Sequence, residues 1–169
     1  MTTKKKKHLP MFGVGPIYGA VIIAATAAGI LLSQLKIIPY VCSPIIKMIL
    51  LTAGILLIAA GAALWFSAVF RAKIDDGITN NRLVTRGVYA LVRNPIYSVF
   101  LFFCTGALTI YGNLWLLTLP VLYWLFLTLL MKRTEEKWLK NLYGAEYEEY
   151  CRKVNRCIPW FPRKEKNKL

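Results

Sequence analysis

Apolar positions in this chain gather into four runs, at 11–33, 44–70, 96–111 and 114–131, separated by short polar stretches. None shows a strand-like alternation, and the runs lack the polar stripe of a surface helix. A hydrocarbon core of about 30 Å needs about 20 apolar residues in helical form. The first two runs meet that length. The last two are short for it, and are expected either to gain length from Pro95 and the flanking aromatic residues or to sit within a locally thinned membrane. The pattern predicts an all-α integral membrane protein with four transmembrane helices.

Local signals refine these helices. The first run is rich in Gly and Ala, with Gly15 and Gly19 as a small-xxx-small pair, and the second repeats this with Ala53, Gly54, Ala59, Ala60 and Gly61. Small side chains let helices approach closely, so both read as packing scaffold. Pro95 suits the first turn of the third helix. Gly112-Asn113 is a two-residue turn, which makes the third and fourth helices antiparallel neighbours. Pro120 is expected to kink the fourth helix from inside. Beyond Lys132, apolar residues recur at three- and four-residue spacing from Trp138 to Val154. Gly144 divides them into two amphipathic pieces, a C-terminal cap over the helix 3–4 hairpin. Arg163 onward reads as a basic tail.

Composition agrees with this outline. The 169 residues are 57% apolar yet carry a net charge of +14. Of the 22 Lys and Arg residues, 20 lie before the first run, between the second and third, or after the fourth, and all eight acids fall on that same side. Orientation follows Lys and Arg, so both termini and the 71–95 segment are expected in the cytoplasm. The run after Lys4–Lys7 is too long for an ordinary signal peptide and is expected to stay as an anchor. The division is into residues 1–70, a basic start with two scaffold helices, and residues 71–169, the functional region. The loop that opens the second part is long for a compact bundle, with turn signals at Asp75-Asp76-Gly77 and Asn80-Asn81, and is expected to be functional. The four cysteines lack metal-type spacing and the only histidine is His8, so no metal site is expected. Nor does any nucleic-acid recognition motif accompany the basic tail.

The chemistry concentrates where the hairpin meets the cytoplasm. Gly87-Val88-Tyr89-Ala90-Leu91-Val92-Arg93-Asn94-Pro95-Ile96-Tyr97 stands on one side, and Arg133-Thr134-Glu135-Glu136 on the other. A membrane hairpin brings the two together. Free N–H groups at the start of the third helix favour anions, and Arg93 and Arg133 add carboxylate-shaped donors. Glu135 and Glu136 suit a cation, so the pair of clusters matches a zwitterionic ligand. The same residues also admit plainer roles, as interfacial anchors, aromatic belt, or surface pairs of Glu136 with Lys132 or Lys140. Adjacent glutamates diverge by about 100° on a helix, so one at most faces a given pocket.

Gly-x-Tyr-x-x-x-Arg-Asn-Pro-x-Tyr (87–97), Arg-Thr-Glu-Glu (133–136), Gly-x-Glu-Tyr-x-x-Tyr (144–150) and Ile-Pro-Trp-Phe (158–161) follow one another in an order and spacing that resemble the isoprenylcysteine carboxyl methyltransferases. They also resemble the related phospholipid N-methyltransferases. The resemblance covers roughly residues 82–161. It implies an S-adenosylmethionine-dependent membrane enzyme without a Rossmann domain. It also implies cofactor contacts from Tyr89, Arg93, Asn94, Pro95, Tyr97, Glu135 and Glu136, with Arg133 at the substrate edge and Arg133 and Glu136 as catalytic residues. Asn94 departs from the His of many members, and Ser98 stands where a glycine often follows the tyrosine.

A carboxylate is its own nucleophile toward an activated methyl, whereas an amine must first be neutral, and no histidine lies in the cluster to serve as base. The leading expectation is methylation of a lipidic acceptor, most like isoprenylcysteine carboxyl O-methylation, with an apolar or prenylated acceptor entering from the bilayer. Phospholipid (ethanolamine) N-methylation is the alternative within the enzyme class. A non-catalytic membrane module that binds lipid or a partner is the alternative outside it. A monomer and a homodimer are both compatible with the Gly/Ala faces.

Overall fold

The computed structural model describes residues 13–71 and 83–160; the regular structure among them is helical apart from one isolated bridge, and turns and irregular segments connect the helices. The Lys4–Lys7 anchor, the turn signals of the long loop and the basic tail lie outside the described residues. Helix α1 spans Gly15–Gln34 and α2 spans Pro44–Phe66, with a π-helical turn continuing it over Ser67–Arg71. A 3-10 turn at Gly87–Ala90 leads to α3, Pro95–Tyr111. A second 3-10 turn, Leu114–Thr118, leads to α4, Leu119–Arg133, and then come α5, Glu135–Tyr143, and α6, Ala145–Lys153.

Prolines start the helices. Pro sits in the first turn of α1, α2, α3 and α4, where the missing N–H costs no helical bond. Ser43 caps α2 by accepting from Ile46 N–H at 3.3 Å. Pro120 therefore opens the α-helical part of the fourth segment after a 3-10 turn, in its first turn and not in the helix interior where it was expected to act. The hairpin turn is as expected: Gly112 ends α3 in the left-handed region at φ 80°. Gly144, at φ 56°, separates α5 from α6 in a conformation that side-chain-bearing residues rarely adopt.

Among the described residues, three segments are long and apolar enough to cross a membrane: Gly15–Gln34, Pro44–Val69 and Leu114–Tyr143. The third runs nearly continuously through α4 and α5, so the fourth segment is longer than its apolar run. Helix α3 is the shorter one, 17 residues, or about 25 Å at 1.5 Å per residue. Only 11% of the apolar window of α2 is buried within the protein. Ile45, Met48, Ile49 and Leu56 stand exposed along it. A helix apolar on all sides with so little of it covered is built to face lipid.

Helix α3 is the centre of the bundle. It packs chiefly against α2, then α1, and less against α4. Gly54 of α2 and Gly106 of α3 let two backbones meet: a Cβ at Gly54 would lie 2.8 Å from the Gly106 carbonyl and 2.9 Å from the Ile110 nitrogen. Small residues at this crossing replace the hydrophobic drive that lipid removes. On the other side of α3, Tyr18 and Ile22 of α1, Tyr97, Leu101 and Leu108 of α3 and Leu127 of α4 form the main core.

At the hairpin end, Asn113 is fully buried and gathers the connections. Its Nδ2 donates to Ser33 Oγ at 2.8 Å and to the Pro39 carbonyl at 3.2 Å, while Oδ1 accepts from Trp115 N–H at 3.2 Å. One side chain thus ties the α1–α2 connection to the α3–α4 turn.

Candidate functional site

At the opposite end of α3, the segment before the helix and the start of α5 converge. Pro95 is buried at the first turn of α3 and fixes its direction. Two residues on, the Tyr97 hydroxyl donates to Glu135 Oε1. The same oxygen accepts from Val14 N–H at 2.7 Å, so Glu135 also sits at the N-terminus of α1, where a carboxylate suits the helix dipole. Gly15 makes room for this: a Cβ there would meet the Tyr97 ring at 2.5 Å.

Glu136 turns the other way, as the helical divergence of adjacent residues requires. Its Oε1 lies 3.2 Å from Arg93 Nη1, a side chain only 8% exposed. Arg156, which the sequence reading did not single out, supplies a two-point pair: Nε to Oε1 at 2.6 Å and Nη2 to Oε2 at 3.1 Å. Burial alone would lower the pKa of Arg156, and the Glu136 carboxylate outweighs it and raises it. Glu136 pairs with neither Lys132 nor Lys140; Lys140 bonds Glu148 across the Gly144 break at 2.6 Å.

Arg93 Nη1 also donates to Cys151 Sγ and, at 3.5 Å, to the Tyr147 hydroxyl. Both acceptors belong to α6. Tyr147, Tyr150 and Val154 pack with Leu83 and Leu139 into a small core that holds α6 over this end. Burial raises the pKa of Tyr147 and of Tyr150 above the ordinary tyrosine value. Tyr150 uses its hydroxyl to donate to the Tyr89 carbonyl at 2.6 Å.

The residues after α6 run back along the segment before α3. Val92 and Asn155 form a parallel bridge. Arg93 N–H donates to the Asn155 carbonyl at 2.9 Å, Asn94 N–H to the Arg156 carbonyl at 3.1 Å, and Trp160 N–H to the Leu91 carbonyl at 3.0 Å. Asn94 adds its side-chain amide to the Arg156 carbonyl at 3.2 Å and makes no helix cap. Ser98 Oγ donates to the Cys157 carbonyl at 2.6 Å, with the Asn94 carbonyl within 3.0 Å. Both departures from the family pattern, Asn94 and Ser98, therefore fasten this C-terminal strap. Cys157 is buried, and burial pushes its thiol up to about 11.

The expected site residues thus separate into groups. Arg93 and Glu136 meet directly, Tyr97 and Glu135 meet directly, and Asn94 and Pro95 stand between them. Tyr89 lies apart, half-buried against the core of Leu64, Val88 and Val99. Arg133 is exposed at the end of α4 and, among the described residues, bonds to none of the others. Arg156, Tyr147 and Cys151 complete the cluster. The only advance sign of Arg156 was its place just before the Ile-Pro-Trp motif.

The Nε of Arg93 is buried and has no hydrogen-bond partner. An unpartnered guanidinium nitrogen is costly in an interior, and an anionic group completes it. Close by, the two segments that carry Arg93 and Arg156 also line a groove of about 570 Å³ through Leu91 and Ile158. Ala60, Ala63 and Leu64 of α2 and Phe102 of α3 are among its apolar walls.

Residues 48–146 match the phospholipid methyltransferase family. A probable protein-S-isoprenylcysteine O-methyltransferase of Oryza sativa subsp. indica is 36% identical over 98 residues, 56% of this chain and 48% of the relative. The protein-S-isoprenylcysteine O-methyltransferase of Schizosaccharomyces pombe is 37% identical over 98 residues, 57% and 40% of the two chains. Protein-S-isoprenylcysteine O-methyltransferase B of Arabidopsis thaliana is 33% identical over 82 residues, 48% and 41%. The chain spans about half the length, or less, of the curated relatives it matches. No solved structure matches. The family match takes in both halves of the cluster, Arg93 to Tyr97 and Glu135 to Glu136, and covers more than half of the chain. This protein belongs to the phospholipid methyltransferase family.

Proposed function

We propose that this protein is an S-adenosylmethionine-dependent integral-membrane methyltransferase of a lipidic acceptor, most like an isoprenylcysteine carboxyl O-methyltransferase. The observation that carries the reading is the buried, unpartnered Nε of Arg93 beside the Arg93–Glu136 pair. A zwitterionic amino-acid moiety needs one group for its carboxylate and another for its ammonium, and this end of α3 offers guanidinium and carboxylates together. The three relatives with isoprenylcysteine names support the acceptor class.

Bound S-adenosylmethionine supplies an activated methyl group, so the protein's task is to position and desolvate. Arg93 holds the ligand's carboxylate, and Glu136 and Glu135 set the negative side of the site. Tyr97 and Asn94 keep these groups oriented through Glu135 and the strap. Arg133 lies at the acceptor's edge, where its exposed guanidinium reaches a carboxylate that approaches from the membrane surface. The apolar groove between α2 and α3 supports an acceptor with a hydrocarbon chain, since Leu91 and Ile158 place it at the same end as the cluster. Four helices span the bilayer, with α5, α6 and the strap as a cytoplasmic cap, both termini in the cytoplasm and 20 of the 22 Lys and Arg residues on that face.

A second reading, methylation of an ethanolamine lipid, draws on the family description itself. An amine acceptor needs a base, and the sole histidine is His8, which favours the carboxylate. Incubating the purified protein in vesicles with methyl-labelled S-adenosylmethionine separates the two. A base-labile methyl ester on a prenylcysteine acceptor supports the first reading. Label in methylated ethanolamine lipid, with no ester, replaces it by the second.

A further inference from the structure

Arg156 lies ten residues beyond the family match, and its side chain is the best-geometry partner of Glu136. The geometry points to Arg156 as a positioning residue: by taking up the Glu136 carboxylate at both oxygens, it leaves Arg93 free to bind the carboxylate of the cofactor's amino-acid end. The inference rests on the cofactor reading above.

Two guanidinium groups stand around the one carboxylate of Glu136, a local charge of +1 that suits an anionic ligand, while Glu135 is taken up separately by the Tyr97 hydroxyl and Val14 N–H. The carboxylate is shared unequally. Arg156 meets it with a two-point pair at 2.6 and 3.1 Å, whereas Arg93 reaches it with Nη1 alone at 3.2 Å. Arg93 consequently keeps its Nε unpartnered, although the side chain is only 8% exposed. Without the Arg156 guanidinium the cluster would be neutral, and Arg93 would be the sole cation for Glu136. Bidentate Arg–carboxylate pairing would then draw the Arg93 fork onto Glu136 and away from a ligand.

The Arg156 main chain has a separate job. Its carbonyl accepts from Asn94 N–H and from the Asn94 amide, and these bonds survive any change of the side chain. Substituting Arg156 therefore alters the charge of the cluster while leaving the strap attached.

The test is calorimetric titration of the purified full chain in detergent with two probes: S-adenosylhomocysteine and its decarboxylated analogue, which keeps the amine. The unaltered protein binds the first about tenfold more tightly than the second, the worth of one charge-assisted pair. Arg156→Gln removes that preference, weakening S-adenosylhomocysteine about tenfold and the analogue less than about twofold. Arg156→Lys, which keeps the charge but not the fork, retains part of the preference. Equal weakening of both probes, or no weakening of either, overturns the inference while leaving the cofactor reading intact. Equal affinity of the unaltered protein for the two probes also overturns it. Failure of the unaltered protein to bind either probe overturns the cofactor reading and this inference with it. A melting curve for each variant guards the result: Arg156→Gln that no longer folds is replaced by Arg156→Lys, where a reduced preference supports the inference and an undiminished one overturns it.

Discussion

Glu136 and Arg156 are 20 positions apart, yet they form a two-point ion pair at 2.6 and 3.1 Å with each side chain 17% exposed. Arg93 completes the group from a third element. Removing the carboxylate leaves two guanidinium groups facing each other in a largely buried place. Glu136→Gln is therefore expected to destabilise the fold by about 3 kcal/mol, the scale of breaking a buried pair by removing one partner. Adding Arg156→Gln to it restores much of that loss, because the charge imbalance goes. Detergent melting curves of the single and double variants check both statements.

Tyr97 and Glu135 form the second link, between α3 and the start of α5. Tyr97→Phe and Glu135→Gln are expected to be non-additive, with a coupling of about 1.5–3 kcal/mol, as for a hydrogen bond to a charged group. Additive effects on stability would show that the hydroxyl and carboxylate act independently.

The crossing of α2 and α3 depends on bare backbone. Gly54→Ala places a methyl 2.8 Å from the Gly106 carbonyl, and the helices must separate. A loss of several kcal/mol follows, on the order of an overpacked core. Gly61→Ala, whose Cβ would meet the Phe103 ring at 3.1 Å, costs less because a side chain yields more easily than backbone. A melt in which the two variants behave alike would contradict the close crossing.

Asn113→Ala strips the shared anchor from the two connections at the far end. It leaves Ser33 Oγ and the Pro39 carbonyl without their donor, at a cost of about 2 kcal/mol. Ser33→Ala, which removes one of these partners, costs less.

The four apolar runs, the hairpin turn and the meeting of its two polar clusters were legible in the sequence, because membrane helices need length and turns need glycine. Gly112 and Gly144 fell where the pattern placed them. The role of Pro120 was not legible: the 3-10 turn at Leu114–Thr118 puts it at a helix start, and nothing in apolar spacing signals where a 3-10 turn ends. Asn113 read only as a turn residue, since its partners Ser33 and Pro39 are joined to it by folding alone. Arg156 was missed for the same reason. A basic residue in a chain with 22 of them carries no mark of its partner. Tyr89 and Arg133 matched motifs in sequence, but the fold places one against an apolar core and the other in the open.

Titration of Cys157 offers a check on the strap. Its thiol is held near 11 against an ordinary value of 9.0, chiefly by burial. A raised folded-state pKa means that the unfolded chain releases this proton first. Its contribution to stability is full below about pH 9 and declines as pH rises toward about 11. Maleimide labelling of Cys157 in the folded protein is thus expected to be negligible at pH 8 and to appear only as pH approaches that range. Rapid labelling at pH 8 would mean that the strap is not docked.

The central claim is that the Arg93–Tyr97 segment and Glu135–Glu136 form one cofactor site. Photo-crosslinking of the purified protein with an azido-adenosyl analogue of S-adenosylmethionine, mapped by mass spectrometry with and without excess S-adenosylhomocysteine, tests it most directly. Competed labels are expected only on peptides that contain residues 87–97, 133–136 and the strap at 154–160. Labels elsewhere, or labels that excess S-adenosylhomocysteine does not suppress, would contradict it.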